Sequence, residues 1–512
     1  MQIRWLLLLV PVYLLFAHLD HVAFWDDEAQ TALLARNLNE TGHLTGWNGR
    51  NLFAYRNGTL LADDFSVRQP PLDIIVTAFS FRFWNESVTS GRVPFALAGL
   101  LSLLLLFLSA RVERKEWDFA FWSVATYGLS VAFILNVRQC RYYGLCLLFG
   151  VAARLLLLIW RERGDRWPLF LFPFAIALLY SANYLIAVAW MVALVPLILR
   201  RGDRGGLCAW VVALAIMAIH AVNYQIWARV DIPYDDTWIH RRLHHLWIYP
   251  RDLVYFLPLP LLIWGALLFR RERDPVWRRN LLCLFLNAVT LSIFTPQPGD
   301  STFSDVRFSV LSIPLATTCL GRFFEGLASR QVVYGWAIFF LATLSNIFLV
   351  GYTRRPFELT LPALAQSIQT HYTTSLEEAV AFLRREAKPG DTVLAVPEHF
   401  NYPITYALPE LVNCCTLDKN TPLRTALNLK VPLGKEDNAP DWLILFEKAP
   451  HTLAELERFE ARGVRYEEVG KLRVFWELTQ RPEPMWHLYF PKTDFDPARE
   501  GVYIYRRRVN PF

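Results

Sequence analysis

Apolar runs of about 20 residues recur along this chain, near 4–20, 92–110, 117–136, 142–160, 167–182, 184–199, 207–228, 253–269, 280–295, 308–326 and 332–350. Each is close to the length a helix needs to cross the roughly 30 Å hydrocarbon core of a bilayer. In lipid every backbone polar group must bond within its own segment, so a chain built this way folds as helices. The runs predict a polytopic α-helical membrane protein with about eleven transmembrane helices. Composition agrees: 54% hydrophobic and 19% charged residues, with a mean hydropathy of +0.25, are too apolar for an ordinary soluble enzyme. The net charge of +6 does not signal nucleic acid, because the arginines fall in short tracts between apolar runs and form no single basic stripe.

Those tracts set an orientation. "RVERKE" (111–116), "RERGDR" (161–166), "RRGDRG" (200–205), "RRERDPVWRR" (270–279) and "GRFFEGLASR" (321–330) all belong on the cytoplasmic side by the positive-inside rule. An even number of crossings must then separate successive tracts, which makes 167–199 two short helices meeting near Ser181–Tyr184. With Arg4 inside, the first helix runs outward, and the chain beyond Val350 lies outside. The segment 1–20 ends in "FAHLD", without a small-residue cleavage site, and reads as a retained anchor. Arg154, near the cytoplasmic end of its helix, is expected to snorkel. Many arginines, few lysines and a short N-terminus point to a bacterial inner membrane. Seven cysteines without metal-type spacing predict no disulfide framework, and the adjacent Cys414 and Cys415 are badly placed to bridge each other.

The outward segment 21–91 is far longer than a usual connection. Within it "DDEAQTALLARNLNETG" predicts a helix capped by Asp26, with acids in the first turn and Gly42 as its stop. "PPLDIIVTAFSFRFW" (70–84) is too short to cross and is expected to lie along the outer surface. The other outward segment, 229–252, mixes aromatics, His and Arg. From about 371 the composition becomes that of a soluble α/β domain. It has a capping box at Ser375–Glu378, strands at 392–397 and 441–446, a helix at 452–463, and strands in "RVFWEL" and "GVYIYRRR". No glycine-rich phosphate loop or nucleophile elbow is present there.

Asp26, Asp27 and Glu28 stand where acids are costly, directly behind an apolar run. Capping and solvation explain one or two of them; a general base at the membrane surface explains the third. Arg68, Arg138, Arg141 and Arg307, with Tyr142 and Tyr143, are expected at the same outward level. Each arginine alone reads as an interfacial anchor. Together, facing an acid cluster, they suit a phosphate gripped by paired hydrogen bonds, and above an apolar vault that phosphate is a lipid phosphate.

This ordered set resembles a family. "WDDEAQTALLARNL", "RQPPL" (68–72), "RVPFALAGLL" opening the second span and "RQCRYYGLCLL" after the third are similar to the GT-C integral-membrane glycosyltransferases, nearest the protein O-mannosyltransferases and the aminoarabinose transferases of lipid A. The resemblance covers roughly 1–330, and more loosely the outer domain. It implies a catalytic membrane domain at 1–350, carrying outer loops 21–91 and 229–252, followed by a linker and a periplasmic or extracellular α/β domain at 351–512. It implies a polyprenyl-phosphate-linked sugar as donor, with Asp27 as the base on an acceptor hydroxyl and Glu28 positioning acceptor or base. Asp26 makes the run three acids long, so the register shifts by one in the alternative alignment. Arg68 sits one residue earlier than a Lys-Pro-Pro arrangement would place its cation, whereas Arg138 and Arg141 match the family's basic positions better.

Attack by the acceptor oxygen on the anomeric carbon expels the lipid phosphate, and one base in a single displacement inverts that centre. No cofactor is required, and a divalent metal stays compatible with the chemistry. Asp63 and Asp64 read equally as a solvated turn or as acceptor or metal contacts. His240, His244 and His245 read as interfacial or substrate contacts ahead of metal ligands, because no acidic or Cys partner accompanies them. Trp238, Trp247 and Tyr249 belong at headgroup level, and Asn183 and Tyr184 are candidates for the cavity wall. The acceptor, whether lipid, glycan or protein, is not specified. The competing reading is a lipid-linked sugar transporter or flippase. Against it stand the gathering of ionisable groups at the outer rim and the absence of a half-repeat.

Overall fold

A computed structural model describes residues 3–53, 61, 65–199, 204–223, 239–240, 242–246, 257–269, 274–295, 306–348, 357–370, 373–413, 439–472 and 500–508. Asp63, Asp64, Trp238, Trp247, Tyr249, Cys414, Cys415 and the expected strand at 473–478 lie outside them. The chain divides into two compact units. One comprises Met1–Leu19 with Arg92–Gln369; the other joins Asp20–Gly91 to Thr370–Arg481 and the C-terminal strand.

The first unit is helical. Apolar helices occupy the positions of the runs: Val88–Arg114, Tyr143–Arg163, Trp167–Ala182, Tyr184–Ala193, Gly205–Asn223, Pro275–Phe294, Ser312–Arg330 and Val332–Leu344 among them. Among the described residues three are long and apolar enough to cross a membrane, Val88–Arg114, Tyr143–Arg163 and Gly205–Asn223. The broken pair Trp117–Gly128 and Val131–Val137, bent by 61°, makes a fourth when counted as one span. The other helices among the described residues are shorter or more polar than a full crossing, so the structure identifies three or four spans where the sequence led to an expectation of about eleven. The stretch 167–199 is two helices, broken at Asn183, whose side chain accepts the Ile186 N–H at 3.0 Å. Small residues let backbones close up: a Cβ on Gly321 would come within 2.6 Å of the Ser123 backbone nitrogen.

Four of the five basic tracts meet through ion pairs at one end of this unit. Glu113 takes Arg154 and Arg279, each at 2.7 Å, and Arg279 reaches Glu162 at 3.1 Å. Asp274 takes Arg114 at 2.7 Å and Arg322 at 2.8 Å while capping the helix behind it through the Val276 and Trp277 N–H groups. Burial works to raise the Asp274 pKa, but the hydrogen bonds from Arg322 and Trp277 and the charge of Arg114 outweigh it and hold the carboxyl below its ordinary range. Tracts brought to one end are what an even number of crossings between them produces. Arg154 does not snorkel: it is 1% exposed, because Glu113 and Asn280 from distant helices supply its partners inside the protein.

The second unit is built on a five-stranded sheet of β1 (Thr392–Val396), β2 (Val412–Asn413), β3 (Trp442–Glu447), β4 (Tyr466–Leu472) and β5 (Glu500–Arg507), in the order β2-β1-β3-β5-β4. β1 runs parallel to β2 and β3, and β5 runs antiparallel between β3 and β4. Alternate residues feed two cores: Val393, Ala395, Trp442, Ile444 and Ile504 on one face, Leu394, Val396, Leu443, Leu445 and Tyr503 on the other. The helices Ser375–Glu386 and Asn401–Ala407 contribute to the first core, Phe459 of Pro450–Glu460 to the second. The capping box lies one residue earlier than expected, Thr374 with Glu377, since Thr374 holds the extended backbone of a cap while Ser375 is already helical.

Trp25, 3% exposed, belongs to the first of these cores. Burying an indole there ties the segment after residue 20 to the C-terminal sheet, which is why 20–91 groups with that domain.

Candidate functional site

In the second unit the acids open the helix Asp26–Thr41. Its N-cap is Trp25, in extended backbone, so Asp26 is the first helical residue and not the cap. All three acids fall in the first turn, where the macrodipole favours them, and Gly42 ends the helix at a φ of 79° with its N–H on the Leu38 carbonyl. They are buried: Asp26 is 6% exposed, Asp27 5% and Glu28 0%. Buried carboxylates persist only with polar partners. Gln30 Nε2 donates to Asp26 Oδ1 at 3.0 Å, Thr31 Oγ1 donates to the Asp27 carbonyl at 3.3 Å, and none of the three acids lacks a partner.

Side chains on the same helix and in the following loop fasten it to the α/β domain. Arg36 donates to the Tyr406 carbonyl at 2.9 Å, lies over the Tyr406 ring at 4.6 Å and pairs with Glu86. Phe24 meets the Tyr406 ring edge-on at 5.0 Å. Asn51 bonds both ways with the edge strand β2 and the residue before it, donating to the Leu411 carbonyl at 3.0 Å and accepting the Asn413 N–H at 2.8 Å. The helix Leu72–Trp84 packs along the acid helix and brings a fourth carboxylate, Asp73, 1% exposed. Sequence reasoning passed over Asp73; the available signal was a lone acid inside an apolar run. Arg68, half-buried, has no ion pair among the described residues.

In the first unit, Arg141 and Tyr142 precede the helix Tyr143–Arg163, at the end opposite Arg161. At 1.5 Å per residue those 21 residues span about 30 Å, a bilayer core. Arg141 is 9% exposed with its guanidinium 5.4 Å from the Tyr142 ring, and the Tyr142 and Tyr143 rings meet at 4.6 Å. Arg138, 3% exposed, donates to the carbonyls of Leu14, Ala17 and His18 at 2.6, 2.8 and 3.1 Å, which makes it the cation at the C-terminus of the first helix.

Arg307 lies in the short 3₁₀ helix Val306–Ser309, which packs on Pro275–Phe294 and Tyr184–Ala193. Arg242, also missed from sequence, donates to the Thr295 carbonyl at 2.7 Å at the far end of Pro275–Phe294 from Asp274. Arg141 and Arg242 thus each lie at the helix end away from the tract network, Arg141 before Tyr143–Arg163 and Arg242 at the end of Pro275–Phe294. His240 and His244 are exposed and His245 is buried; burial, with Arg242 and His244 beside it, pushes His245 down to about 4. Among the described residues no group of His, Cys, Asp and Glu could hold a metal. Asn183 caps its helix, while the Tyr184 ring meets Tyr180 tilted at 4.8 Å and His220 edge-on at 6.0 Å.

No protein-family model matches the sequence, and no curated protein matches it. Solved structures do. ArnT from Cupriavidus metallidurans in the apo state aligns with a TM-score of 0.58 at 14% identity, over 98% of this chain and 97% of that one. The same protein bound to undecaprenyl phosphate aligns with a TM-score of 0.55 at 14% identity, over 98% of each chain. The motif resemblance and the three-dimensional likeness agree: along nearly its whole length the chain has the fold of the GT-C membrane glycosyltransferases.

Proposed function

We propose that this protein is an inverting glycosyltransferase that moves a sugar from a polyprenyl-phosphate donor to an acceptor hydroxyl at the outer face of the cytoplasmic membrane. The observation that carries the reading is a turn of three buried carboxylates, in a chain with the fold of a protein that binds undecaprenyl phosphate. Asp27 acts as the base. It takes the acceptor proton as the oxygen attacks the anomeric carbon, and the bond from that carbon to the phosphate oxygen breaks with its electron pair leaving on phosphate. Glu28 orients the acceptor. In this reading Arg68, Arg141 and Arg307 are the cations that stabilise the charge growing on the phosphate. Arg138 contributes by holding the end of the first helix in place through the carbonyls of Leu14, Ala17 and His18. Only one carboxylate takes part in bond making, so no covalent glycosyl intermediate forms and the anomeric configuration inverts.

The test incubates the purified full chain with a panel of radiolabelled polyprenyl-phosphate sugars and membrane extracts. Transfer by the wild type and a loss of about 10²–10⁴ in Asp27→Asn are expected. Unchanged transfer in the variant removes Asp27 as base; absence of transfer from every donor removes the transferase reading.

A further inference from the structure

A groove with a volume of about 690 Å³ runs between the first helix and the two segments that follow it in this unit, lined by Trp5, Leu8, Val12, Leu104, Phe107 and Trp117 among others. The volume lies within the range of about 300–1,000 Å³ usual for small-molecule sites. Its lining is apolar, but one end is not. Trp5 meets Phe107, Trp117 and Phe121 edge-on or nearly so, at 5.8, 6.3 and 5.2 Å. Over these rings lie two cations: Arg111 is 4.1 Å from the Trp117 ring and Arg4 is 4.9 Å from the Phe121 ring. Lys115 follows, its carbonyl bonded by Arg111. Arg4 pairs with Asp118 and Arg114 with Glu116, whereas Arg111 and Lys115 have no ion pair among the described residues, so the groove mouth keeps an excess of positive charge.

A long apolar slot closed at one end by aromatic rings and guanidinium groups is complementary to an acyl chain carrying an anionic head. We infer that the groove holds one acyl chain of an anionic glycerophospholipid, with its phosphate on Arg4 and Arg111. The site is at the tract end of the unit, opposite Arg141 and Tyr142, and is separate from the proposed transfer reaction. Its function is to brace the first helix against its neighbours.

Native mass spectrometry of the full chain with phosphatidylglycerol, phosphatidylcholine and decaprenyl phosphate tests it. Wild type should retain phosphatidylglycerol at a roughly tenfold lower concentration than phosphatidylcholine. Arg4→Gln with Arg111→Gln should equalise the two lipids. Leu104→Trp should abolish retention of either, by filling the slot from a position 53% exposed and so outside the packed core. Equal retention by wild type, a preference that survives either change, or displacement of phosphatidylglycerol by decaprenyl phosphate overturns the inference. Leu104→Trp decides alone if the charge variant yields no folded protein.

Discussion

Glu113 offers the sharpest test of how the helical unit is held. Its carboxylate is 0% exposed and accepts from Arg154 and Arg279 at 2.7 Å each and from Asn280 at 3.2 Å. Glu113→Ala removes all three bonds and leaves Arg154, whose side chain is 1% exposed, without its counter-charge. The Nε and Nη1 atoms of Arg154 have no hydrogen-bond partner among the described residues, so its charge has no alternative acceptor except Asn280. Breaking a buried pair on one side costs about 3–5 kcal/mol. Replacing Glu113 and its most buried partner with apolar side chains, Glu113→Leu with Arg154→Met, should recover part of that loss, since the desolvation cost of those two charges disappears while Arg279 keeps Glu162. Unfolding of the purified protein, by titrating sodium dodecyl sulfate into mild detergent and following tryptophan fluorescence, gives both values. A Glu113→Ala cost below about 1 kcal/mol, or a double variant no more stable than the single, would refute the reasoning.

Three further outcomes follow from the geometry. His245 is pushed from 6.5 to about 4, so the folded protein keeps it neutral while the unfolded chain takes up a proton; stability should be full above pH 6.5 and decline by roughly 3 kcal/mol as pH falls to 4. The same titration on His245→Gln should lose that slope, and an unaltered slope would assign it elsewhere. Trp25→Ala should cost about 3–5 kcal/mol in thermal unfolding and lower sugar transfer as well, because one side chain both fills the α/β core and seats the acid helix. Arg138→Gln should destabilise by about 1.5–3 kcal/mol through lost charged hydrogen bonds and speed proteolysis near residues 14–18.

Period and punctuation carried what the sequence could state. The apolar runs, the split of 167–199, the Gly42 stop and the strands β1, β3 and β5 were all readable, because each depends on neighbours within a turn or a strand. Errors of one residue came at caps: Asp26 and Ser375 both look like caps, but in each case the backbone turns helical one position earlier, so that Trp25 and Thr374 are the caps. β4 was not legible. "YEEVGKL" is an edge strand exposed on most positions, so it lacks the alternation that marks a half-buried strand. Arg154 was misjudged for a different reason: its partners, Glu113 and Asn280, are 41 and 126 residues away. Of the candidate site, the acids and the rim arginines could be listed from sequence, whereas the carbonyl grip of Arg138 and the burial of Asp73 depend on segments that only folding brings together.

The anchoring of Trp25 in the C-terminal core has a consequence for biosynthesis. The acid helix leaves the ribosome among the earliest segments, whereas its platform needs β5, which is among the last. A nascent or prematurely ended chain can insert its helices yet holds those carboxylates on no finished support. On the proposed reading, sugar transfer therefore waits for β5, and a copy that stops short of it lacks the support on which Asp27 would act.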